Sequence, residues 1–153
     1  MLQHQNLPHV DLILLSRDLS PPREDVWEGI RVQRGVCLSV HRIVGEVFPG
    51  DPHRIASIAR ARNQARAIGE HPWVMFLDDD VVLDPDCVAR LVEGLVRRPE
   101  FAAFAADCTK TMIGGWELPD SLAHVGMASV LFRRSSLDQI TFRWADDKCE
   151  CRC

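Results

Sequence analysis

Three consecutive aspartates, Asp78-Asp79-Asp80, constrain the fold of this chain more than any other feature of its sequence. This acidic cluster lies between two apolar runs, residues 73–77 and 81–83. Buried carboxylates cannot all stay ionised without a cation, so the apolar flanks predict a buried strand with the cluster at its end. Alternation along a strand places Asp78 and Asp80 on one face and Asp79 on the other. Two carboxylates so placed suit a divalent metal that substrate phosphates also bind, and the alternative is a solvated acidic turn.

Composition limits the class of protein. The 153 residues suffice for one domain, which would bury roughly two-thirds of its unfolded surface. A hydrophobic share of 46% and a charged share of 26% are ordinary for a globular protein. The net charge of -4 argues against general nucleic-acid binding, which usually needs a basic excess. Residues 1–6 lack the pattern of a signal peptide, and no apolar run approaches the about 20 residues that span a bilayer. We therefore expect a cytoplasmic protein, and loose attachment to a membrane surface through a partner stays open.

Strand and helix patterns alternate along the chain. Apolar runs predict strands over residues 10–16, 36–47, 73–77, 101–106 and 124–133. Helical spacing and end signals predict helices over residues 24–34, 53–69 and 84–98, with a short helical turn over 135–140. Asp84 is expected to cap the third helix. This alternation predicts a three-layer α/β domain with a mostly parallel sheet.

The six cysteines fall into two groups. Three stand singly among apolar residues and are interpreted as small buried hydrophobes: Cys37, Cys87 and Cys108. The other three, Cys149, Cys151 and Cys153, form a C-x-C-x-C ending. Three thiolates can supply part of a soft-metal site, but the spacing differs from C-x2-C and no fourth ligand is near in sequence. A disordered or partly paired end is the alternative.

The residues around the acidic cluster resemble the centre of family 2 glycosyltransferases. Three segments carry the resemblance: A-R-N-Q-A-R-A at 61–67, W-V-M-F-L-D-D-D-V at 73–81 and L-D-P-D at 83–86. In that family an A-R-N-x-A helix leads into a strand that ends in a D-x-D motif, commonly followed by a proline. Residues 124–134 also resemble a family segment of small residues and a strand. The resemblance covers residues 10–147 and is strongest over residues 55–92.

The resemblance implies a GT-A fold and the transfer of a sugar from a nucleotide-diphospho-sugar to a saccharide, lipid or protein acceptor. It implies that Asp80 binds Mg²⁺ or Mn²⁺ directly and that Asp78 approaches the metal or the nucleotide ribose. Asp79 is placed in the same nucleotide site, although its role is open. Arg62 is the candidate for a phosphate or nucleotide contact, because a guanidinium offers bidentate hydrogen bonds to phosphate oxygens. The alternative for Arg62 is a salt bridge on a solvated helix face.

The remaining site residues are also implied by the resemblance. The end of the first strand, at Ser16 and Arg17, would meet the base, although turn chemistry is the alternative there. Asp146 and Asp147 are the candidates for the general base that deprotonates the acceptor, with a solvated acidic turn as the alternative. A family aspartate usually ends the second strand and reads the base. Here no aspartate follows that strand until Asp51, so the donor nucleotide stays open.

The chain ends where the family usually continues with acceptor-side helices. We therefore expect one GT-A-like domain over residues 1–153, in a short or truncated form without those elements. The short end and the missing aspartate keep a second function open, a noncatalytic GT-A-like module that binds a nucleotide or a partner. A phosphotransferase with Asp78 as nucleophile is less favoured, because such aspartates usually close the first strand, which here ends in Ser16.

Overall fold

The computed structural model describes residues 6–51, 54–106 and 127–143. Within these ranges the chain forms one sheet of five strands, with the order β2-β1-β3-β5-β4. The strands are β1 His9–Ser16, β2 Cys37–Val44, β3 Trp73–Asp78, β4 Ala103–Ala105 and β5 Ser129–Arg133. The helices are α1 Glu24–Arg31, α2 Ile55–Ala65, α3 Cys87–Arg97 and α4 Arg134–Leu137.

The sheet is mostly parallel, as the sequence predicts. Strand β1 pairs in parallel with β2 and with β3. Strand β5 runs antiparallel to both β3 and β4, so it alone of these five strands opposes the others. The carboxyl ends of β1, β2 and β3 therefore lie side by side at one edge of the sheet, where ligands bind in open α/β sheets.

Two apolar cores lie on opposite faces of the sheet. Side chains alternate along β1, so that Leu12 and Leu14 pack with α1 and α3 while Ile13 and Leu15 pack with α2. Phe76 of β3 lies in the α2 core, with its ring centroid 5.4 Å from that of Phe132 and 5.7 Å from that of Phe142. Helices thus cover both faces, which confirms the three-layer arrangement.

The helix ends differ from the sequence predictions. Helix α2 ends at Ala65, because the next residues make shorter i to i+3 hydrogen bonds and Gly69 has a φ of +76°. Helix α3 begins at Cys87, and the prediction that Asp84 caps it through its side chain is wrong. Gln33 does this instead, since its Oε1 accepts a hydrogen bond from the Val88 N–H at 3.1 Å.

Other predicted elements are shortened rather than misplaced. Helix α1 ends at Arg31 and β2 at Val44, before the predicted limits, and β4 spans three residues. Cys37 and Cys87 are half-buried, not buried as predicted. Residues 107–126, Cys108 among them, and the cysteine ending lie outside the described residues. None of the helices in the described ranges is long and apolar enough to cross a membrane.

A buried carboxylate joins the amino end of β1 to three other segments. The Asp11 side chain is 2% exposed and accepts hydrogen bonds from the His71 N–H and from Arg134 Nη2, each at 2.8 Å. His41 Nε2 lies 3.1 Å from the other carboxylate oxygen. Burial alone would raise the pKa of Asp11, but these hydrogen bonds outweigh it and hold the pKa below its usual value. A Cβ at Gly69 would overlap this carboxylate, so the close approach requires glycine.

Candidate functional site

A cavity of about 430 Å³ opens at the carboxyl ends of β1, β2 and β3. Its wall combines the loops after β1 and β2, the first turns of α2 and the acidic cluster. The polar and charged side chains that line it are Ser16, Arg17, Asp18, Asp51, Arg54, Ser57 and the three aspartates of the cluster. The structure thus brings the predicted residues Ser16, Arg17, Asp78, Asp79 and Asp80 together in one cavity.

The acidic cluster is a strand end followed by a turn. Strand β3 stops at Asp78, and Asp79 and Asp80 form the turn, with Asp80 exposed. The Asp78 N–H donates to the Ala128 carbonyl at 2.8 Å, and the Asp79 N–H donates to the Leu15 carbonyl at 3.1 Å. All three aspartates line the cavity. Asp79 therefore lies at the same cavity as Asp78 and Asp80, and the strand alternation on which its predicted direction rests does not extend past Asp78.

Arg62 lies beside Asp78 but is not part of the cavity wall. The residue is 2% exposed, and its Nη2 lies 3.7 Å from Asp78 Oδ1. The same nitrogen donates to the Met127 carbonyl at 3.3 Å, where the chain turns into β5. Burial lowers the pKa of the Arg62 guanidinium, and the Asp78 carboxylate opposes that shift. Arg62 is therefore buried against the acidic cluster rather than on a solvated helix face.

The charge of Asp78 is poorly compensated. Burial raises its pKa, the Arg62 cation counters that rise, and the carboxylates of Asp80 and Asp79 add to it. The net result is a pKa of about 6. The side chain is nevertheless 37% exposed, and the exposed part faces the cavity. A cation bound in the cavity would lower the cost of ionising this carboxyl group.

The end of β1 is fixed by Arg42 of β2. Arg42 Nε donates to the Ser16 hydroxyl at 2.8 Å, and its Nη2 donates to the carbonyls of Asp18 and Ser20. The Asp18 carboxylate accepts from the Ser20 N–H at 2.8 Å, which is the turn chemistry that the sequence left as an alternative. Arg17 is exposed on the cavity wall. Ser16 and Arg17 are therefore held at the cavity by a rigid turn.

Sequence reasoning missed two charged cavity residues between β2 and α2. Asp51 stands seven residues beyond Val44 but turns back into the cavity, where Arg60 binds both of its carboxylate oxygens at 2.8 and 2.5 Å. Arg54 precedes α2 and lines the same wall. A helix that follows a parallel strand begins at the carboxyl edge of the sheet, and this topology is the signal that could have located Arg54.

The donor atoms fit a hard divalent cation that a ligand also binds. Among the described residues, no three histidine, cysteine or acidic side chains converge on a metal-sized site. A cation at the acidic cluster would therefore take one or two carboxylate oxygens and complete its shell with phosphate oxygens and water. This is the usual arrangement for Mg²⁺ at nucleotides. Asp146 and Asp147 lie outside the described residues.

Comparison with known families agrees with this geometry. The model of glycosyl transferase family 2 matches residues 55–148, which is more than half of the chain. A search of curated proteins finds no match. The matched segment begins with α2 and contains Arg62, the whole acidic cluster and β5. Membership of this family implies a GT-A fold and, in general, the use of a nucleotide-sugar donor. The resemblance inferred from the sequence is confirmed, and the chain belongs to glycosyl transferase family 2.

Proposed function

We propose that this protein is a metal-dependent glycosyltransferase that moves a sugar from a nucleotide-diphospho-sugar to an acceptor hydroxyl. One observation carries the proposal: three carboxylates, one with a pKa raised to about 6, share a cavity at the carboxyl ends of three parallel strands. Three like charges in one cavity favour a bound cation, and a diphosphate brings that cation with it.

The donor side of the site uses the residues that line the cavity. Asp80 and Asp78 would hold Mg²⁺ or Mn²⁺, and Asp79, Ser16 and Arg17 would contact the nucleotide. A bound cation would neutralise the negative charge that develops on the diphosphate as the sugar leaves. The rigid hydrogen bonds at Ser16 and in the acidic cluster orient these groups before the donor binds, which reduces the entropy lost on binding.

The acceptor side rests on the sequence alone. We propose Asp146 or Asp147 as the general base that takes the proton of the attacking hydroxyl. The acceptor would be a saccharide, a lipid or a protein side chain that carries such a hydroxyl. Because both aspartates fall within the family match, Asp146→Asn and Asp147→Asn are the variants that examine this part of the proposal.

A donor-hydrolysis assay tests the proposal. Purified protein is incubated with UDP- and GDP-sugars in the presence of Mn²⁺ or Mg²⁺, and the released nucleoside diphosphate is measured. We expect metal-dependent release that Asp80→Ala abolishes. Asp86→Ala is the matched control, because Asp86 is an acidic residue of the same segment that pairs with Arg90 and does not line the cavity.

Nucleotide binding separates the two functions that remain open. Calorimetric binding of UDP or GDP with Mn²⁺, without release from any sugar donor and without transfer to added acceptors, would support the noncatalytic binding module. No binding of either nucleotide with either metal would contradict the proposal as a whole.

A further inference from the structure

We propose that Arg54 contacts the phosphates of the donor, whereas Arg62 acts only through Asp78, as a positioning residue. This inference rests on the proposed function and divides the work of the two arginines differently from the sequence interpretation, in which Arg62 touched the phosphate. The observations that carry it are the position of each guanidinium relative to the cavity and the partners that each already has.

The position of Arg62 leaves it no face toward a ligand. The residue is 2% exposed and does not line the cavity, although its neighbour Asp78 does. Its Nη2 is shared between Asp78 Oδ1 at 3.7 Å and the Met127 carbonyl at 3.3 Å. The Asp78 N–H in turn donates to the Ala128 carbonyl at 2.8 Å. Arg62 thus supports Asp78 and the start of β5 without lining the cavity.

Arg54, unlike Arg62, lies where a ligand in the cavity can reach it. It lines the cavity and is exposed, and its backbone is fixed because its carbonyl accepts the Ser57 hydroxyl at 2.8 Å. Within the part of the chain that the structure describes, its guanidinium makes no hydrogen bond or ion pair. A cation held at a cavity wall without a committed partner can bind an anion at little cost in broken contacts.

Arg17 also lines the cavity, from the turn that follows β1. Among the charges that act on Asp78, Arg54 is a cation that favours the ionised carboxylate. The charge of Arg17 acts instead on Asp18, in the turn after β1. A diphosphate whose cation is bound at Asp78 and Asp80 would therefore lie within reach of Arg54, with Arg17 left to the nucleoside end.

Three nearby arginines already bind other groups of the protein. Arg60 binds both oxygens of Asp51, Arg42 holds the turn at Ser16, and Arg23 pairs with Asp25. Moving any of them to a phosphate would break these contacts. Arg54 is thus the guanidinium whose transfer to the donor breaks no ion pair and which lies on the Asp78 side of the cavity.

Titration calorimetry with nucleotides and nucleosides tests the division. The ligands are UDP and GDP, with uridine and guanosine as phosphate-free controls, each measured with and without Mn²⁺. The variants are Arg54→Met and Arg62→Met, which keep the length of the side chain and remove its charge. Arg90→Met is the control, because Arg90 is exposed on α3 and pairs with Asp86 away from the cavity.

We expect Arg54→Met to weaken diphosphate binding by about tenfold or more, with and without Mn²⁺, since hydrogen bonds to charged groups are the strong ones. Nucleoside binding should not change. Arg62→Met should weaken diphosphate binding only when Mn²⁺ is present, because its effect passes through Asp78. A merely structural role for Arg62 would not produce this dependence on the metal. Arg90→Met should match the wild type.

Two results would overturn the inference. One is an Arg54→Met variant that binds UDP and GDP like the wild type, and the other is a loss of diphosphate affinity in Arg62→Met without metal. If Arg62→Met does not fold, Arg54→Met tests the inference alone, because wild-type binding of UDP and GDP by that variant would overturn it. A wild type that binds neither diphosphate would contradict the proposed function itself, which is a distinguishable outcome, and the inference would fall with it.

Discussion

Asp11 and Asp78 are aspartates of neighbouring strands in one sheet, but their surroundings shift their pKa values in opposite directions. Asp11 lies near the amino end of β1, is 2% exposed and has three donors around its carboxylate. Asp78 ends β3, is 37% exposed, and has one buried guanidinium at 3.7 Å and two acidic neighbours. The pKa of Asp11 is lowered, whereas that of Asp78 is raised to about 6.

The difference separates a carboxylate that stabilises the fold from one that has room for a cation. The Asp11 carboxylate already accepts hydrogen bonds from the His71 N–H and Arg134 and contacts His41, so a ligand would have to compete with the protein's own contacts. Asp78 presents its exposed part to the cavity, beside two more carboxylates. Burial of a charge alone therefore does not identify a functional site. The partners of that charge show whether it stabilises the fold or can bind a ligand.

Removal of the Asp11 carboxylate should have the largest effect on stability. Asp11→Ala removes the ion pair of the mostly buried Arg134 guanidinium and leaves the His71 N–H without its acceptor. We expect the free energy of unfolding to fall by about 3–5 kcal/mol, as when one partner of a buried pair is removed. Urea denaturation measures this loss. Asp80→Ala is the control and should stay within about 0.5 kcal/mol. A loss below about 1 kcal/mol for Asp11→Ala would mean that the network does not hold the fold.

Substitution of Gly69 should disturb the same hydrogen-bond network around Asp11. Gly69→Ala places a Cβ on the Asp11 carboxylate and also forces alanine to a φ of +76°. Gly50→Ala is the matched control, since Gly50 has a φ of +96° and a Cβ added there would meet nothing within 4 Å. We expect about 1 kcal/mol of destabilisation for Gly50→Ala from backbone strain. Gly69→Ala should cost about 2 kcal/mol more, because Asp11 must also move. Equal losses in thermal unfolding would show that Asp11 adjusts freely.

The pH dependence of stability should show the opposite shifts directly. The folded protein holds a proton on Asp78 up to a pH of about 6, whereas an unfolded aspartate loses it near 3.8. The contribution of protonated Asp78 to the stability of the fold is therefore fully present below the unfolded pKa and is lost as pH rises through about 6. Asp11 has a lowered pKa, so its contribution is present above about 3.8 and is lost on further acidification.

Comparison of the wild type with Asp78→Asn isolates the contribution of Asp78 to this pH dependence. We expect the wild type to gain stability relative to the variant between pH 7 and pH 5, by less than about 1 kcal/mol because water screens the exposed part of the side chain. Urea denaturation at the two pH values measures the gain. An unchanged difference between the two proteins would contradict a raised pKa at Asp78.

Local patterns predicted the parts of the molecule that neighbouring residues determine. The apolar runs gave the order of the strands along the chain, and the acidic cluster gave the strand end that lines the cavity. The alternation rule does not apply to Asp79, because the strand stops one residue earlier. Asp11 was overlooked because it lies inside an apolar run and its partners are 30, 60 and 123 residues away.

Each contact that the sequence could not reveal joins segments that are far apart along the chain. Gln33 caps α3 from the loop after α1, and this depends on how two helices pack on the same face of the sheet. Arg54 directly precedes α2 and Arg62 lies within it, and the packing of α2 against the sheet separates the buried arginine from the exposed one. A pattern of arginines along a helix contains no such information.

Anomalous diffraction from a crystal grown with UDP and Mn²⁺ tests the central comparison most directly, because it locates the metal without any assay of activity. We expect a manganese peak in the cavity, within bonding distance of an oxygen of Asp80 or Asp78 and of the diphosphate, and no peak at Asp11. Nucleotide bound in the cavity without manganese at the acidic cluster, or manganese at Asp11 instead, would contradict the distinction between the two carboxylates.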